Sequence, residues 1–399
     1  STHVVNMAMA IKQGALVWRM HGGSPDEFAH RMLDNLFKYH GMAVGHFTGD
    51  ECVMGDSPVQ GSELCSVVEA MYSYEQLLSI SGDPLWGDYL ERLAFNALPA
   101  TISADMWTHQ YDQQTNQVRC ARLPEDHVIF GTNGPESHLF GLEPNFGCCT
   151  ANFNQGWPKF ALSAFMRAED GIASTALIPA SVTTEIGGHR VTCRLETEYP
   201  FRDRLTYTVT TDAPVDFALK LRIPAAAAAA TVDGQTAAPG SFFELRRTWS
   251  GETKVEVQLR FECRLAERPR DMKVLWRGPL LYSVAIKEHW EMLEYTRADV
   301  ERRFPYCDYE IYPESEWNYG FTDDENFAVT EHAIGEYPFS GTEPPMEISA
   351  RLAPVDWPEE YGVAAREPRS RKAIGEARPV RMIPYGCARL RMTEMPTVE

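Results

Sequence analysis

Apolar residues recur at helical spacing from Val4 to about Asp170. The spacing is clearest in VVNMAMAIKQGALVWRM, DEFAHRMLDNLFKYH, ELCSVVEAMYSYEQLLSI and DPLWGDYLERLAFNAL. Two predicted helices begin alike, at Gly23-Ser24-Pro25 and at Gly82-Asp83-Pro84, with a capping residue followed by proline. Repeated helical hairpins of this kind predict an α/α toroid or solenoid, of which residues 1–168 supply about five or six helices.

After Ala168 the period changes to two. Segments such as VTCRLETEYP, RLTYTVTTD and TKVEVQLRFECRL alternate apolar and polar residues between Gly, Pro and Asp turns. This alternation predicts an antiparallel β-sandwich over residues 169–268. Residues 269–399 form a second predicted β-rich region, with a long irregular segment from about 300 to 372 that is rich in Pro and Glu.

The composition excludes two classes of partner. The 399 residues carry a formal net charge of −19, whereas nucleic acids and anionic membranes attract Lys- and Arg-rich surfaces. No run of about 18 apolar residues could span a bilayer, and the opening STHVVNMAMAIKQG lacks the basic-then-apolar order of a signal peptide. Nine cysteines without a framework spacing favour free thiols or metal ligands in a reducing cytoplasm. A periplasmic protein whose signal peptide was removed is the alternative.

Cys148 and Cys149 are adjacent, at the beginning of the helix predicted in FGCCTANFNQGWPKF. Adjacent cysteines bond to each other only through a strained ring, which leaves packed core residues, a redox pair or two ligands of one metal ion. Glu63 and Cys65 stand where another helix begins. Three sulfurs and one oxygen would complete a tetrahedral zinc site. Spacing alone leaves this interpretation and that of buried core cysteines equally open.

Several stretches resemble the bacterial β-L-arabinofuranosidases of glycoside hydrolase family 127, over nearly the whole chain: GDE…GSELCSVVEAMYSY, HQYDQQTNQV, FGCCTANFNQGWPKF and RMIPYGCARLRMTEMP. The resemblance implies part of an (α/α)6 barrel followed by antiparallel β-sandwich domains. It also implies a bacterial retaining exo-glycosidase that acts on terminal β-L-arabinofuranosyl or related furanosyl residues of plant-derived glycans. An oligosaccharide or glycoside is then the expected partner, with a homodimer as the candidate assembly.

The resemblance also assigns roles to residues. It implies that a zinc ion is held by Glu63, Cys65, Cys148 and Cys149. Cys148 would be the nucleophile and Glu51 the general acid/base. The positions matched to sugar contacts are His3, Tyr111, Glu91 and His109.

Two expectations qualify this assignment. A zinc ion with four protein ligands is more often structural than catalytic, so the competing interpretation is an inactive, zinc-stabilised carbohydrate-binding or scaffold protein. Members of the family carry a helical region ahead of the position where this chain begins. We therefore expect this sequence to be a piece of a longer polypeptide.

Overall fold

The computed structural model describes residues 2–127, 129–141 and 147–399. The helices of these residues are α1 Val4–Ala10, α2 Gln13–His21, α3 Glu27–His40, α4 Leu64–Ser81, α5 Leu85–Arg92 and α6 Gly147–Leu162. A π-helical turn, Leu93–Ala97, and a 3₁₀ turn, Pro99–Thr101, extend α5. Within the described ranges, no helix is long and apolar enough to cross a membrane.

Helix α4 lies at the centre of the helical part. Most of its side chains are buried, including polar ones such as Ser73 and Glu75, and it packs against α1, α5 and α6. Helix α4 is buried around most of its circumference because other helices pack against several of its faces. The single helix predicted over residues 4–20 is divided into α1 and α2 at Ile11 and Lys12. The expectation that these helices form part of an (α/α)6 barrel stays a prediction.

Four short strands lie between the helices: β1 Ser62–Glu63, β2 His109–Gln110, β3 Asp112–Gln113 and β4 Phe140–Gly141. An eight-stranded sheet follows: β5 Phe165–Ala168, β6 Gly171–Ser174, β7 Ala180–Ile186, β8 His189–Thr197, β9 Arg204–Ile223, β10 Ala229–Val232, β11 Gln235–Ala237 and β12 Ser241–Arg260. Its strand order is β11-β10-β12-β9-β6-β5, with β7 and β8 joined through β9. The pairing is antiparallel except between β6 and β9.

The remaining strands are β13 Cys263–Arg268, β14 Met272–Arg277, β15 Leu280–Ala285, β16 Glu288–Leu293, β17 Tyr295–Arg297, β18 Val300–Arg302, β19 Asp308–Pro313, β20 Tyr319–Phe321, β21 Ala328–Glu331, β22 Met346–Pro354, β23 Glu359–Glu360, β24 Val363–Ala364, β25 Arg378–Pro384, β26 Arg391–Met392 and β27 Met395–Pro396. A nine-stranded sheet runs β13-β14-β15-β25-β22-β20, with β21, β26 and β27 paired to its members. The segment predicted to be irregular contains β22, whose burial alternates and whose neighbours are β25, β20 and β21. The Pro- and Glu-rich flanks of this segment concealed that alternation in the sequence.

The parts of the chain are joined by shared sheets. A four-stranded sheet has the order β16-β19-β4-β2 and so combines two strands that precede α6 with two strands from the last third of the chain. Helix α6 ends at Leu162 and β5 begins at Phe165, a few residues before the expected boundary at 168. The change from helices to strands thus lies close to residue 168, and the division into domains stays a prediction.

The end of the chain supports the loop that follows Tyr111. Gln117 and Arg391 exchange backbone hydrogen bonds of 2.9 and 2.7 Å. The phenol of Tyr385 donates to Oε1 of Gln113 at 2.9 Å, and the Thr393 amide donates to Oδ1 of Asn116 at 3.0 Å. All these groups are buried.

Candidate active site

Three thiols and a carboxylate converge where α4 and α6 begin. One ligand atom from each of Glu63, Cys65, Cys148 and Cys149 lies within 4.8 Å of every other. Sγ of Cys65 and Sγ of Cys149 are 3.3 Å apart, whereas a disulfide bond measures about 2.05 Å. All four residues predicted as ligands are thus brought together, and the cysteines are free thiols. We call this group the cysteine cluster.

Strand pairing fixes the carboxylate side of the cysteine cluster. Glu63 of β1 pairs with Asp112 of β3, and the Leu64 amide donates to the carbonyl of Tyr111 at 2.9 Å. The chain turns into α4 directly after Glu63, which places Cys65 in the first helical turn. Gly61 is required beside this pair, because an added Cβ would lie 2.8 Å from the Phe130 ring.

Only one thiol of the cysteine cluster is open to solvent. Cys65 and Cys149 are 1% and 0% exposed, and Glu63 is 3% exposed. Cys148 is exposed. A molecule that approaches the cluster therefore meets Cys148 first.

The electrostatics differ between the members of the cluster. Burial, with the nearby charges of Cys148 and Glu51, raises the pKa of Glu63 to about 7. A hydrogen bond from the Cys149 thiol, aided by one from Cys65, lowers the pKa of Cys148 to about 6. Burial raises the pKa of Cys149 well above its usual range. Cys148 also lies in the first turn of α6, where the helix dipole favours a thiolate. Negative charge therefore concentrates on the exposed sulfur.

Glu51 lies beside the cysteine cluster in an unusual backbone conformation. Its φ is 106°, which a residue other than glycine rarely adopts. The Val4 amide donates to the Glu51 carbonyl at 2.6 Å, which ties the residue to the beginning of α1. On the other side, Asn133 donates from its side chain to the Asp50 carbonyl at 2.5 Å, and the Thr132 amide donates to Oδ2 of Asp50 at 2.9 Å.

Two predicted sugar contacts surround the Glu51 carboxylate. The phenol oxygen of Tyr111 lies 3.5 Å from Oε1, and Nε2 of His3 lies 3.9 Å from Oε2. Tyr111 is buried, and its pKa is raised by burial and by the neighbouring charge of Glu63, so the phenol stays protonated. The His3 and Glu51 side chains are partly exposed, 36% and 45%. These three residues thus form one wall beside the cluster.

His109 approaches from another direction. Its Nε2 lies 3.0 Å from Oγ1 of Thr150, the residue that follows the cysteine pair in α6. Burial lowers the pKa of His109 to about 4, so the ring is neutral near pH 7. The structure therefore brings His109 close to the cluster through Thr150.

The structure places Glu91 in a buried ion pair. Its carboxylate pairs with the guanidinium of Arg222 and accepts hydrogen bonds from the Tyr199 phenol at 2.6 Å and the Leu177 amide at 2.9 Å. Glu91 and Arg222 are each 1% exposed. This carboxylate joins α5 to the eight-stranded sheet. Its assignment as a sugar contact stays a prediction.

Sequence reasoning missed the residues that hold Glu51 and His109 in place. Thr132 and Asn133 lie in no quoted stretch, and the stretches that contain Asp50 and Thr150 assigned no role to them. The only available signal was adjacency, since Asp50 precedes Glu51 and Thr150 follows the cysteine pair.

The donor atoms of the cysteine cluster suit a zinc ion. Three sulfurs and one carboxylate are the donor types that zinc accepts, and four is its usual coordination number in proteins. Four acidic groups packed this closely would repel one another once ionised, and a divalent cation removes that repulsion. The cluster therefore fits the metal that the sequence predicted.

Comparison with known proteins places the chain in a family. The model of the GH127 β-L-arabinofuranosidase catalytic domain matches residues 41–162, and that of the GH127 middle domain matches residues 171–261. Together the two models match more than half of the chain. The chain belongs to the GH127 β-L-arabinofuranosidase family. Residues of the cysteine cluster all lie within the match to the GH127 catalytic domain.

Solved structures share the GH127 fold with this chain. A glycoside hydrolase matches with a TM-score of 0.68 and 18% identity, over 100% of this chain and 66% of its own. A GH127 β-L-arabinofuranosidase from Geobacillus stearothermophilus T6 matches with a TM-score of 0.64 and 18% identity, over 98% of this chain and 58% of its own. A GH127 β-arabinofuranosidase matches with a TM-score of 0.64 and 15% identity, over 99% of this chain and 60% of its own. The chain thus spans less than two thirds of the length of these proteins. A search of the curated proteins gave no match.

Proposed function

We propose that the chain carries the active site of a retaining glycoside hydrolase with a cysteine nucleophile. Its substrates would be terminal β-L-arabinofuranosyl or related furanosyl residues of plant-derived glycans. Cys148 acts as the nucleophile and Glu51 as the general acid/base. The observation that carries the proposal is the convergence of three thiols and Glu63, of which only the Cys148 sulfur is exposed. Membership of the GH127 family supports the substrate class.

In the first half of the reaction, the Cys148 thiolate attacks the anomeric carbon. The bond from that carbon to the glycosidic oxygen breaks, and the departing oxygen takes the proton of the Glu51 carboxyl. The product is a sugar joined to Cys148 through sulfur. A zinc ion held by Glu63, Cys65, Cys148 and Cys149 would keep the sulfurs deprotonated.

In the second half, a water molecule replaces the cysteine. Glu51, now ionised, takes a proton from the water as its oxygen attacks the anomeric carbon, and the thiolate of Cys148 leaves. Two displacements at the same carbon retain the configuration of the sugar. Glu51 recovers its proton and the site is ready for another turnover.

The surrounding residues suit a neutral sugar. His3 and Tyr111 flank the Glu51 carboxylate, and the neutral ring of His109 lies near the cysteine pair. These groups can exchange hydrogen bonds with hydroxyls, and the ring of His109 brings no charge near pH 7. We assign His3, Tyr111 and His109 to the positioning of the furanosyl ring.

A covalent label tests the nucleophile. A furanose with an electrophilic trap at the anomeric carbon is incubated with the protein, and the modified residue is located by peptide mass spectrometry. We expect one label, on Cys148, and neither label nor turnover in Cys148→Ser, because a serine hydroxyl stays protonated at neutral pH. Cys263→Ser is the matched control, since Cys263 is a partly exposed thiol on β13.

Two results would contradict the proposal. A label on Glu51 or Glu63 with Cys148 unmodified would indicate the ordinary reaction of two carboxylates. Full zinc occupancy with neither label nor turnover would instead favour an inactive carbohydrate-binding or scaffold protein.

A further inference from the structure

A cavity of about 290 Å³ lies where the end of α5 meets the beginning of β13. Arg92, the last residue of α5, and Arg264 of β13 both line it. Three more lining residues, Ala225, Ala226 and Ala228, come from the run of alanines between β9 and β10. Their short side chains leave the space open, and its volume lies just below the range of about 300–1,000 Å³ that is typical of small-molecule sites.

The two arginines of this cavity lack acidic partners. Among the residues that the structure describes, neither guanidinium forms an ion pair or donates a hydrogen bond, and the charge that acts on Arg264 is that of Arg92. The carboxylate in the wall, Glu262, pairs with Arg260 at 3.0 Å. Two positive charges therefore face the cavity without compensation.

Aromatic rings hold Arg92 in place. Its Cζ lies 5.5 Å from the ring centroid of Tyr89 and 5.7 Å from that of Trp276. The stem of the side chain passes close to Gly45, where an added Cβ would lie 3.2 Å from Cδ of Arg92. A ring attracts a cation but offers no strong hydrogen-bond acceptor, so the N–H donors of Arg92 remain available to a ligand.

The closeness of the two arginines has an energetic cost. Partial burial lowers the pKa of Arg264, and the nearby charge of Arg92 lowers it further. The chain contains 56 acidic residues against 37 Lys and Arg, so carboxylate partners were abundant, yet neither arginine has one. Like charges brought together destabilise each other, and an anion bound between them would remove the repulsion.

We propose that this cavity binds a phosphate group between the guanidinium groups of Arg92 and Arg264. A phosphate carries about −1.5 to −2 charges at pH 7 and presents oxygens on several sides, so it can accept hydrogen bonds from both arginines at once. One carboxylate carries a single charge and would compensate only one arginine. The inference is independent of the proposed reaction, because neither arginine belongs to the cysteine cluster.

Isothermal titration calorimetry with inorganic phosphate, at low ionic strength, measures this binding. We expect one saturable site per chain, and a dissociation constant about tenfold higher in Arg264→Gln, because hydrogen bonds to a charged group are lost. Arg167→Gln, at an exposed arginine of β5 outside the cavity, is the matched control and should bind as wild type does.

A parallel titration with ribose 5-phosphate distinguishes two sources of the phosphate group. Tighter binding than that of inorganic phosphate would assign the site to the phosphate ester of a small metabolite, since the rest of the cavity would then contact the attached group. Equal or weaker binding would assign it to the free ion.

Two further variants locate the site. Ala228→Leu keeps both arginines but fills part of the cavity, and should abolish binding. Cys148→Ser should leave the dissociation constant unchanged. The inference is overturned if wild type binds neither phosphate nor the ester at millimolar concentrations, or if Arg264→Gln or Ala228→Leu binds as wild type does. It is equally overturned if Arg167→Gln weakens binding as much as Arg264→Gln, or if Cys148→Ser abolishes binding.

Discussion

The phenol of Tyr111 lies 3.5 Å from Oε1 of Glu51, so a buried hydroxyl and a partly exposed carboxylate face each other beside the cysteine cluster. The Glu51 carboxylate is not a member of that cluster, although it lies near enough for its charge to act on Glu63. The proposed reaction therefore uses different carboxylates for proton transfer and for metal binding. This separation makes the two roles independently testable.

Glu51→Gln should impair proton transfer and leave the metal content unchanged. Substrates with poor leaving groups need the proton most, so we expect kcat/KM to fall by about 10²–10⁴ for alkyl glycosides and far less for nitrophenyl glycosides. The measurement is kcat/KM across a leaving-group series, with zinc analysis of the same samples. Glu185→Gln, on the surface of β7, is the control. Equal slowing of all substrates would argue against an acid/base role.

Removal of the metal should abolish activity and destabilise the protein. Ionised thiols and Glu63 packed within 4.8 Å repel one another without a cation, and a bound ion stabilises the folded state by mass action. We expect chelation to remove about one zinc per chain, to lower Tm and to stop turnover, and added zinc to restore all three. Cys65→Ser should bind less zinc although Cys65 is buried away from solvent. Full activity in protein stripped of zinc would exclude the metal from the reaction.

The backbone conformation of Glu51 should depend on the hydrogen bonds that hold the preceding residue, Asp50. A residue other than glycine at φ 106° stores about 1–3 kcal/mol and persists because its surroundings hold it. Thr132 donates two hydrogen bonds to Asp50: its hydroxyl donates to the Asp50 carbonyl, and its amide donates to Oδ2 of Asp50. Thr132→Val removes the first of these bonds.

We therefore expect Thr132→Val to lower kcat for poor leaving groups by about three- to tenfold, while the free energy of unfolding changes by no more than about 1 kcal/mol. Thr197→Val, which removes a similar bond to the Arg204 carbonyl in the β-region, is the control. A loss shared equally by all leaving groups would indicate a general structural effect.

Glu75 should make stability depend on pH. Burial raises the pKa of this α4 carboxyl to about 8 from its ordinary value of 4.5. The folded protein therefore holds a proton that the unfolded chain releases above pH 4.5. The contribution of Glu75 to the free energy of unfolding is fully present below that pH and is lost as pH rises through about 8.

Glu75→Gln should remove this dependence. Relative to wild type, its free energy of unfolding should improve by about 1.4 kcal/mol per pH unit between pH 5 and 8. Urea denaturation at several pH values measures the difference, with the surface variant Glu185→Gln for comparison. A constant difference across this range would mean that Glu75 is ionised in the folded protein.

The cysteine cluster was predicted from the resemblance to glycoside hydrolase family 127, because spacing alone left core cysteines equally open. Glu63 directly precedes α4, Cys65 lies in its first turn, and Cys148 and Cys149 lie in the first turn of α6, so the packing of α4 against α6 brings the four residues together. The conformation of Glu51 was not predictable, because a positive φ at a glutamate arises from contacts with residues far away in the sequence.

The ion pair of Glu91 could not be predicted from the sequence. The resemblance matched Glu91 to a sugar contact, whereas its partner in the structure, Arg222, comes from β9, a strand in another part of the chain. A buried charge needs such a partner, and the sequence does not reveal which of many arginines provides it. The division of the first helix into α1 and α2 was missed for a similar reason, since the apolar spacing continues across the break.

The support of the Gln113–Gln117 loop by the end of the chain affects biosynthesis. Every member of the cysteine cluster is synthesised before Tyr385, Arg391 and Thr393. Contacts over such sequence distances form late, because a long loop must close before they stabilise anything. In a nascent chain that stops before β25, the Gln113–Gln117 loop therefore lacks the contacts of Tyr385, Arg391 and Thr393, and it reaches its final support only after these residues have been made.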